Sequence, residues 1–158
     1  MRTRRSKSAA LVASFFAVLS LAGSGDAPAA ALGITVPISG TVDGGPESVL
    51  LSGSLSIAST LVDDPVLTTP KERITIKLVN VSGIGLMSGA NYVATGEDRL
   101  MRLLSVSNHI DVMFPFYATA DGPGSARSAM VSITLNFDLV TGSLTDASAA
   151  ITSPKLPN

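Results

Sequence analysis

Apolar residues in this chain recur at every second position over most of its length, and that period predicts strands rather than helices. Ile34, Val36, Ile38 and Val42 alternate with Thr35, Pro37, Ser39 and Thr41. From Val49 to Leu61 the apolar set is Val49, Leu51, Leu55, Ile57 and Leu61, set against Ser52, Ser54, Ser56, Ala58 and Thr60. Gly53 interrupts that run and signals a bend or bulge. Ile74, Ile76 and Leu78 repeat the alternation against Arg73, Thr75 and Lys77. Tyr92 to Thr95 reads as a short strand. Leu100 to Val106 is apolar on both faces, which fits a central strand or a turn of helix. Ile110, Val112, Phe114 and Phe116 share one face of a strand over 108–117. The clearest run is 127–139, with Ala129, Val131, Ile133, Leu135, Phe137 and Leu139 on one face and polar residues on most of the other. A last strand is expected over about 143–151.

Turn chemistry separates these runs. Asp43-Gly44-Gly45-Pro46, Asp63-Asp64-Pro65, Asp121-Gly122-Pro123-Gly124 and Val140-Thr141-Gly142 carry the residues that favour tight or positive-φ turns. Strands joined in this way pair antiparallel. The pattern predicts a single all-β domain of about eight strands, either an antiparallel β-sandwich or a closed β-barrel. Unequal strand lengths tilt the choice towards the sandwich. The domain is expected over 32–152, followed by a disordered tail at 153–158.

The first 31 residues break the pattern. Arg2, Arg4, Arg5 and Lys7 precede a 14-residue apolar stretch from Ala9 to Ala22. Small residues follow, and both Ala27-Pro28-Ala29 and Ala29-Ala30-Ala31 fit a signal-peptidase site. Residues 1–31 therefore read as a signal peptide cleaved near Ala29 to Ala31. The stretch falls short of the roughly 20 residues that cross a bilayer, and no membrane span is expected in the mature chain. Arg4-Arg5 reads as two residues of an ordinary basic region rather than a twin-arginine signal, because Lys7 and Ser8 stand where that signal prefers apolar residues. The expected destination is outside the cytoplasm, secreted or periplasmic.

Processing changes the charge. Cleavage after Ala29 removes four of the 11 basic residues and one of the 12 acidic ones, leaving 7 and 11 and a net charge of −4. The remaining cations form no dense run, which argues against nucleic acid as a partner. The chain has no cysteine, so an exported form relies on its packed core rather than on disulfides. That suits a bacterial protein better than a eukaryotic one, and it makes the sequon Asn80-Val81-Ser82 a chance match.

Little of the chain carries chemistry. His109 is the single histidine. It lies two residues from Asp111, so both share the strand face opposite Ile110, Val112 and Phe114, which is the wet face. Neighbours on one strand face stand about 6–7 Å apart, too far for a ready-made catalytic dyad. His109 and Asp111 are the catalytic candidates, with Arg102 a scattered third. A zinc site lacks ligands. Calcium takes oxygen ligands, and Asp63 and Asp64 are the best candidates, ahead of Asp43 with Glu47, Glu97 with Asp98, and Asp121. Carbohydrate is disfavoured because there is no Trp and because Phe114, Phe116 and Phe137 fall on core faces. Gly83 to Gly89 has the spacing GxGxxxG and no following helix, so it reads as a flexible β–β connection rather than a dinucleotide loop. Its apolar residues Ile84, Leu86 and Met87 form a possible contact loop, unless they close the core. No cofactor is expected.

Three functions fit this reading. The first is a non-enzymatic binding or structural domain acting through its surface on a protein partner. The second is a small barrel carrying an apolar ligand, because a filled core and a lined cavity share one alternation. The third is a hydrolase or isomerase with a site around His109.

Overall fold

A computed structural model describes residues 32–62 and 69–154. Residues 1–31, expected to be a signal peptide, the calcium candidates Asp63 and Asp64, and residues 155–158 lie outside the described residues. Eight strands follow one another: β1 (Leu32–Val42), β2 (Val49–Val62), β3 (Lys71–Gly85), β4 (Asn91–Ala94), β5 (Glu97–Leu103), β6 (Ser107–Ala118), β7 (Arg127–Asp138) and β8 (Ser143–Thr152). A single 3-10 turn, Pro123–Ser125, interrupts the connection before β7.

All pairings are antiparallel and form one sheet in the order β1-β2-β3-β4-β6-β7-β8, with β5 pairing β3 beside β4. The sheet nearly closes on itself into a barrel. This all-β architecture of eight strands agrees with the alternation, and takes the barrel side of the expected pair. Ile34 meets Ile57 across β1–β2, and Ile57 meets Ile76 across β2–β3, so the inward set stays in register around the wall. The inward residues form one apolar cluster in which Leu51, Leu55, Ile57, Ile74, Ile76, Phe116, Ile133 and Leu135 are fully buried.

Three departures from regularity set the shape. The first is the bulge signalled by Gly53. Ser52 pairs with Ser82 but Ser54 pairs with Val79, so Asn80 and Val81 oppose the single residue Gly53. Asn80 takes φ 51° there, a conformation asparagine tolerates better than most residues. The second departure is a bend at Thr95-Gly96. The Leu78 amide donates to the Gly96 carbonyl at 3.0 Å, so β4 and β5 run as one bent strand along β3. The upper part, β4, goes on to pair with β6, as in Val93 with Tyr117. Among the described residues the lower part, β5, pairs with β3 alone, and the first half of β6 pairs with β7 alone. The segment around Leu100 is therefore an edge strand, not the central strand or helical turn that its two apolar faces suggested. Leu100 packs against the core, while Met101 and Leu103 point to solvent.

The third departure is the seam between the first and last strands. β1 and β8 lie against each other without a backbone ladder between them. At Gly40 a methyl group would stand 2.7 Å from the carbonyl carbon of Ile151, and closer still to its oxygen. Only a residue without Cβ lets the two backbones approach this closely. The Asp43 amide also donates to Ser153 Oγ at 2.7 Å, so ordered contact runs past Thr152 into the expected tail.

Candidate functional site

One end of the barrel is closed by a polar network around Glu47. The turn after β1 brings Glu47 beneath the β3–β4 hairpin. Its carboxylate accepts hydrogen bonds from the Ser88 hydroxyl at 2.6 Å, the Ser88 amide at 2.9 Å, the Met87 amide at 3.1 Å and the Tyr92 hydroxyl at 3.0 Å. The Ser88 hydroxyl is the largest influence in holding the Glu47 carboxyl down at about 2, below its ordinary 4.5, with the Ser88 and Met87 amides and Tyr92 adding to it against a smaller opposing effect of burial. Burial, with Glu47 beside it, raises the Tyr92 phenol. Arg127 completes the end: its guanidinium donates to the carbonyls of Glu47 and Gly44. It also lies 4.9 Å over the Phe116 ring, which in turn meets Tyr92 at 6.0 Å.

This network fixes the candidate contact loop. Gly83, Ile84 and Gly85 belong to β3, not to a flexible connection. At Gly83 a methyl would stand 2.6 Å from Leu51 Cδ2, and at Gly85 2.5 Å from the Glu47 carboxyl carbon. These glycines therefore serve close packing, and the turn itself begins at Leu86, whose amide donates to Ser48 at 2.9 Å. The apolar trio does not close the core. Ile84, Leu86 and Met87 are 54%, 58% and 84% exposed. Leu50 pairs with Ile84 on the same outer face. Beside them runs an open groove of about 450 Å³ lined by Leu50, Ser52, Ser82, Ile84, Asn91 and Val93 among others.

The pH dependence of this clamp follows from its sign. A carboxyl lowered by folding contributes stability in full above its unfolded value near 4.5 and loses it as pH falls towards 2. Glu47→Gln is expected to unfold at lower urea than wild type at pH 7, with the two midpoints converging between about pH 4.5 and 2. A gap that stays constant across that range would contradict the clamp.

The histidine candidates lie on the opposite wall. His109 stands on the outward face of β6, with Nε2 3.4 Å from Asp111 Oδ1 and Nδ1 3.4 Å from Thr134 Oγ1. Ser132, directly across from Asp111, donates to the same Oδ1 at 2.6 Å. The order is thus Ser–Asp–His, whereas nucleophile activation needs the histidine between serine and carboxylate. The side chain of His109 is 63% exposed above a shallow dish of about 280 Å³ shared with Ser148 and Ala149. Arg102 belongs to β5, which the pairing does not bring beside β6. The structure therefore joins His109 to Asp111 and leaves Arg102 out.

Two features were missed by the sequence reading. The first is Glu72, a carboxyl side chain fully buried on β3 at the other end of the barrel. Its Oε2 accepts from the Ser59 hydroxyl, while Oε1 is without a hydrogen-bond partner among the described residues. An unmet buried oxygen of this kind costs about 1–3 kcal/mol. The signal was its parity, since Glu72, Ile74, Ile76 and Leu78 all point inward. The second is a rim of exposed apolar residues at that same end: Leu103 and Val106 before β6, and Leu139 and Val140 before β8. Leu139 was expected on the core face. However, β7 stops at Asp138, whose carboxylate accepts the Val140 amide at 2.8 Å, and the turn carries Leu139 outward to 51% exposure. Gly142, at φ 67°, then reverses the chain into β8.

Of the carboxylate pair Asp43 and Glu47, Asp43 accepts from the Ser48 hydroxyl at 2.7 Å within the first turn, while Glu47 spends its oxygens on Met87, Ser88 and Tyr92 of the β3–β4 hairpin. No helix among the described residues is long and apolar enough to cross a membrane. No known protein family, curated protein or solved structure matches the chain.

Proposed function

We propose that this chain is exported, and that its β domain is a non-enzymatic module that works outside the cytoplasm by binding a protein partner. The observation that carries this reading is the rigid exposure of Leu86 and Met87. Large apolar side chains at 58% and 84% exposure are unfavourable in water unless something covers them. Here the turn that carries them is held by three hydrogen bonds to Glu47. A preordered apolar tip loses little conformational entropy when a partner covers it. Leu50 and Ile84 extend the surface down the wall. Bacterial origin and a periplasmic or secreted destination belong to the same proposal, and rest on the basic-then-apolar N-terminus and the Cys-free chain.

The two other readings gain less. A carrier needs an enclosed cavity, and the inward positions here are filled by fully buried Phe116, Leu51 and Ile133. A hydrolase needs a histidine that receives a nucleophile's proton, and Ser132 donates elsewhere.

The test is photo-crosslinking in the cells that express the protein. A photoreactive residue at Met87 is expected to give adducts of discrete mass, reduced at least about fivefold by Leu86→Asp, while the same residue at His109 gives none. Equal adducts from both positions would sink the contact reading.

A further inference from the structure

The free edge of β5 carries a register for a second copy of itself, and we propose that the protein forms a two-fold dimer through antiparallel β5–β5 pairing. The inference goes beyond the contact tip at Leu86 and Met87 and does not depend on it.

The backbone parity comes first. The Leu78 amide bonds to Gly96 and the Leu104 amide to Pro70, each at 3.0 Å. These are opposed positions in the β3–β5 register, in which Ile76, Ile74 and Glu72 oppose Asp98, Leu100 and Arg102. In an antiparallel ladder, opposed residues alternate between bonded and non-bonded pairs. Even-numbered residues of β5 therefore turn their N–H and C=O towards β3, and the odd-numbered Glu97, Arg99, Met101 and Leu103 turn theirs to the free edge. Side chains act as stand-ins at that edge: Asp98 Oδ1 accepts the Arg99 amide at 2.8 Å, and Asn108 reaches the Leu103 carbonyl at 3.4 Å. An edge of this kind, without proline or bulge, is a template for another strand.

Charge selects the strand. With a two-fold axis at Leu100, all seven residues of β5 overlap with those of the partner copy. Arg99 then faces Met101 and Glu97 faces Leu103, which are the positions whose backbone groups turn to the edge, where the partner strand would displace the Asp98 and Asn108 side chains. On the other face Leu100 meets Leu100, and Asp98 meets Arg102 on both sides of the axis. Directly opposed charges of opposite sign favour a ladder, and like charges oppose it. Moving the axis to Arg99 places Arg99 against itself and breaks both Asp98–Arg102 pairs. Moving it to Met101 leaves Arg102 facing Leu100. Only the Leu100 register pairs both charges and uses the whole strand. A closed isologous pair also covers each edge with the other and does not propagate.

The protein has no cysteine, so engineered thiols report the register without background. Leu100→Cys in the signal-less domain is expected to oxidise to a disulfide dimer, because the two positions face each other at the axis. Leu103→Cys is expected to stay monomeric, because its counterpart lies about 20 Å away along the strand. Sedimentation gives the second arm. Arg102→Asp is expected to weaken dimerisation at least about tenfold, and the swap Asp98→Arg with Arg102→Asp to return it to within about threefold of wild type. A wild-type chain monomeric up to about 0.5 mM, Leu103→Cys crosslinking as fast as Leu100→Cys, or a swap that fails to restore association would each overturn the proposal.

Discussion

Gly40→Ala is expected to unfold at markedly lower urea than wild type, with a loss of about 3 kcal/mol or more. The added methyl has no free volume, because the carbonyl of Ile151 stands where it would go. Backbone, unlike a flexible side chain, cannot swing aside, so the seam between β1 and β8 must open. Overpacking in a well-packed interior costs about 1–3 kcal/mol when side chains can shift, and here the obstacle is main chain. The seam has no ladder to resist separation, so the strain falls on Val36, Ile38 and Ile151, which pack across it in the core. Gly33→Ala is the matched control. It lies on the same strand, with the nearest atom to a new methyl 3.6 Å away, and a change within about 0.5 kcal/mol is expected. If Gly40→Ala unfolds at the same urea concentration as Gly33→Ala, the seam is not closed as described.

Phe116→Ala carries the second large effect. Phe116 is fully buried, and removal of a buried phenylalanine costs about 3–5 kcal/mol. The loss here reaches beyond the cavity. The ring supports the Arg127 guanidinium at 4.9 Å and the Tyr92 ring at 6.0 Å. Through those two side chains it touches both supports of the Glu47 turn. Phe116→Ala is thus expected to lower the urea midpoint and to make the Leu86 and Gly89 amides, which bond to Ser48 and Gly85, exchange faster with solvent. Phe116→Leu, which keeps most of the volume but not the ring, should recover much of the stability and little of the exchange protection. An unchanged exchange rate at Leu86 in Phe116→Ala would show that the clamp stands without the ring.

Much of this fold is legible in the chain. Most strands announce themselves by alternation, β5 being the exception, and the wet faces of Ser and Thr mark the outside. His109 falls on the outer face for the same reason. What escaped the reading did so for identifiable reasons. Glycine has no hydropathy, so β3 could not be followed through Gly83 and Gly85, and the packing that requires them is contributed by Leu51 and Glu47 from distant parts of the chain. Leu139 continues the inward parity of β7, and only the Asp138–Val140 hydrogen bond shows that the strand has already ended. Glu72 was passed over because an acidic residue at inward parity reads as the end of a strand. The solitary edge of β5 is a property of pairing, and pairing between β4 and β6 is not written in either segment alone. The Glu47 clamp joins residues 40 or more positions apart, with no local signature beyond a carboxylate in a turn.

The seam between β1 and β8 also bears on the order in which the domain acquires its structure. Hairpins such as β1–β2 or β7–β8 involve neighbours in sequence and form early, but the seam joins segments more than a hundred residues apart, as in the bond from Asp43 to Ser153. Loop closure over such a span is slow. While β8 is still on the ribosome, β1 has no neighbour across the gap, and the core residues Val36 and Ile38 lack their cover from Ile151. Completion of the wall therefore falls to β8. The barrel wall can close only after β8 is available, and until then the inward face of β1 stays open to water.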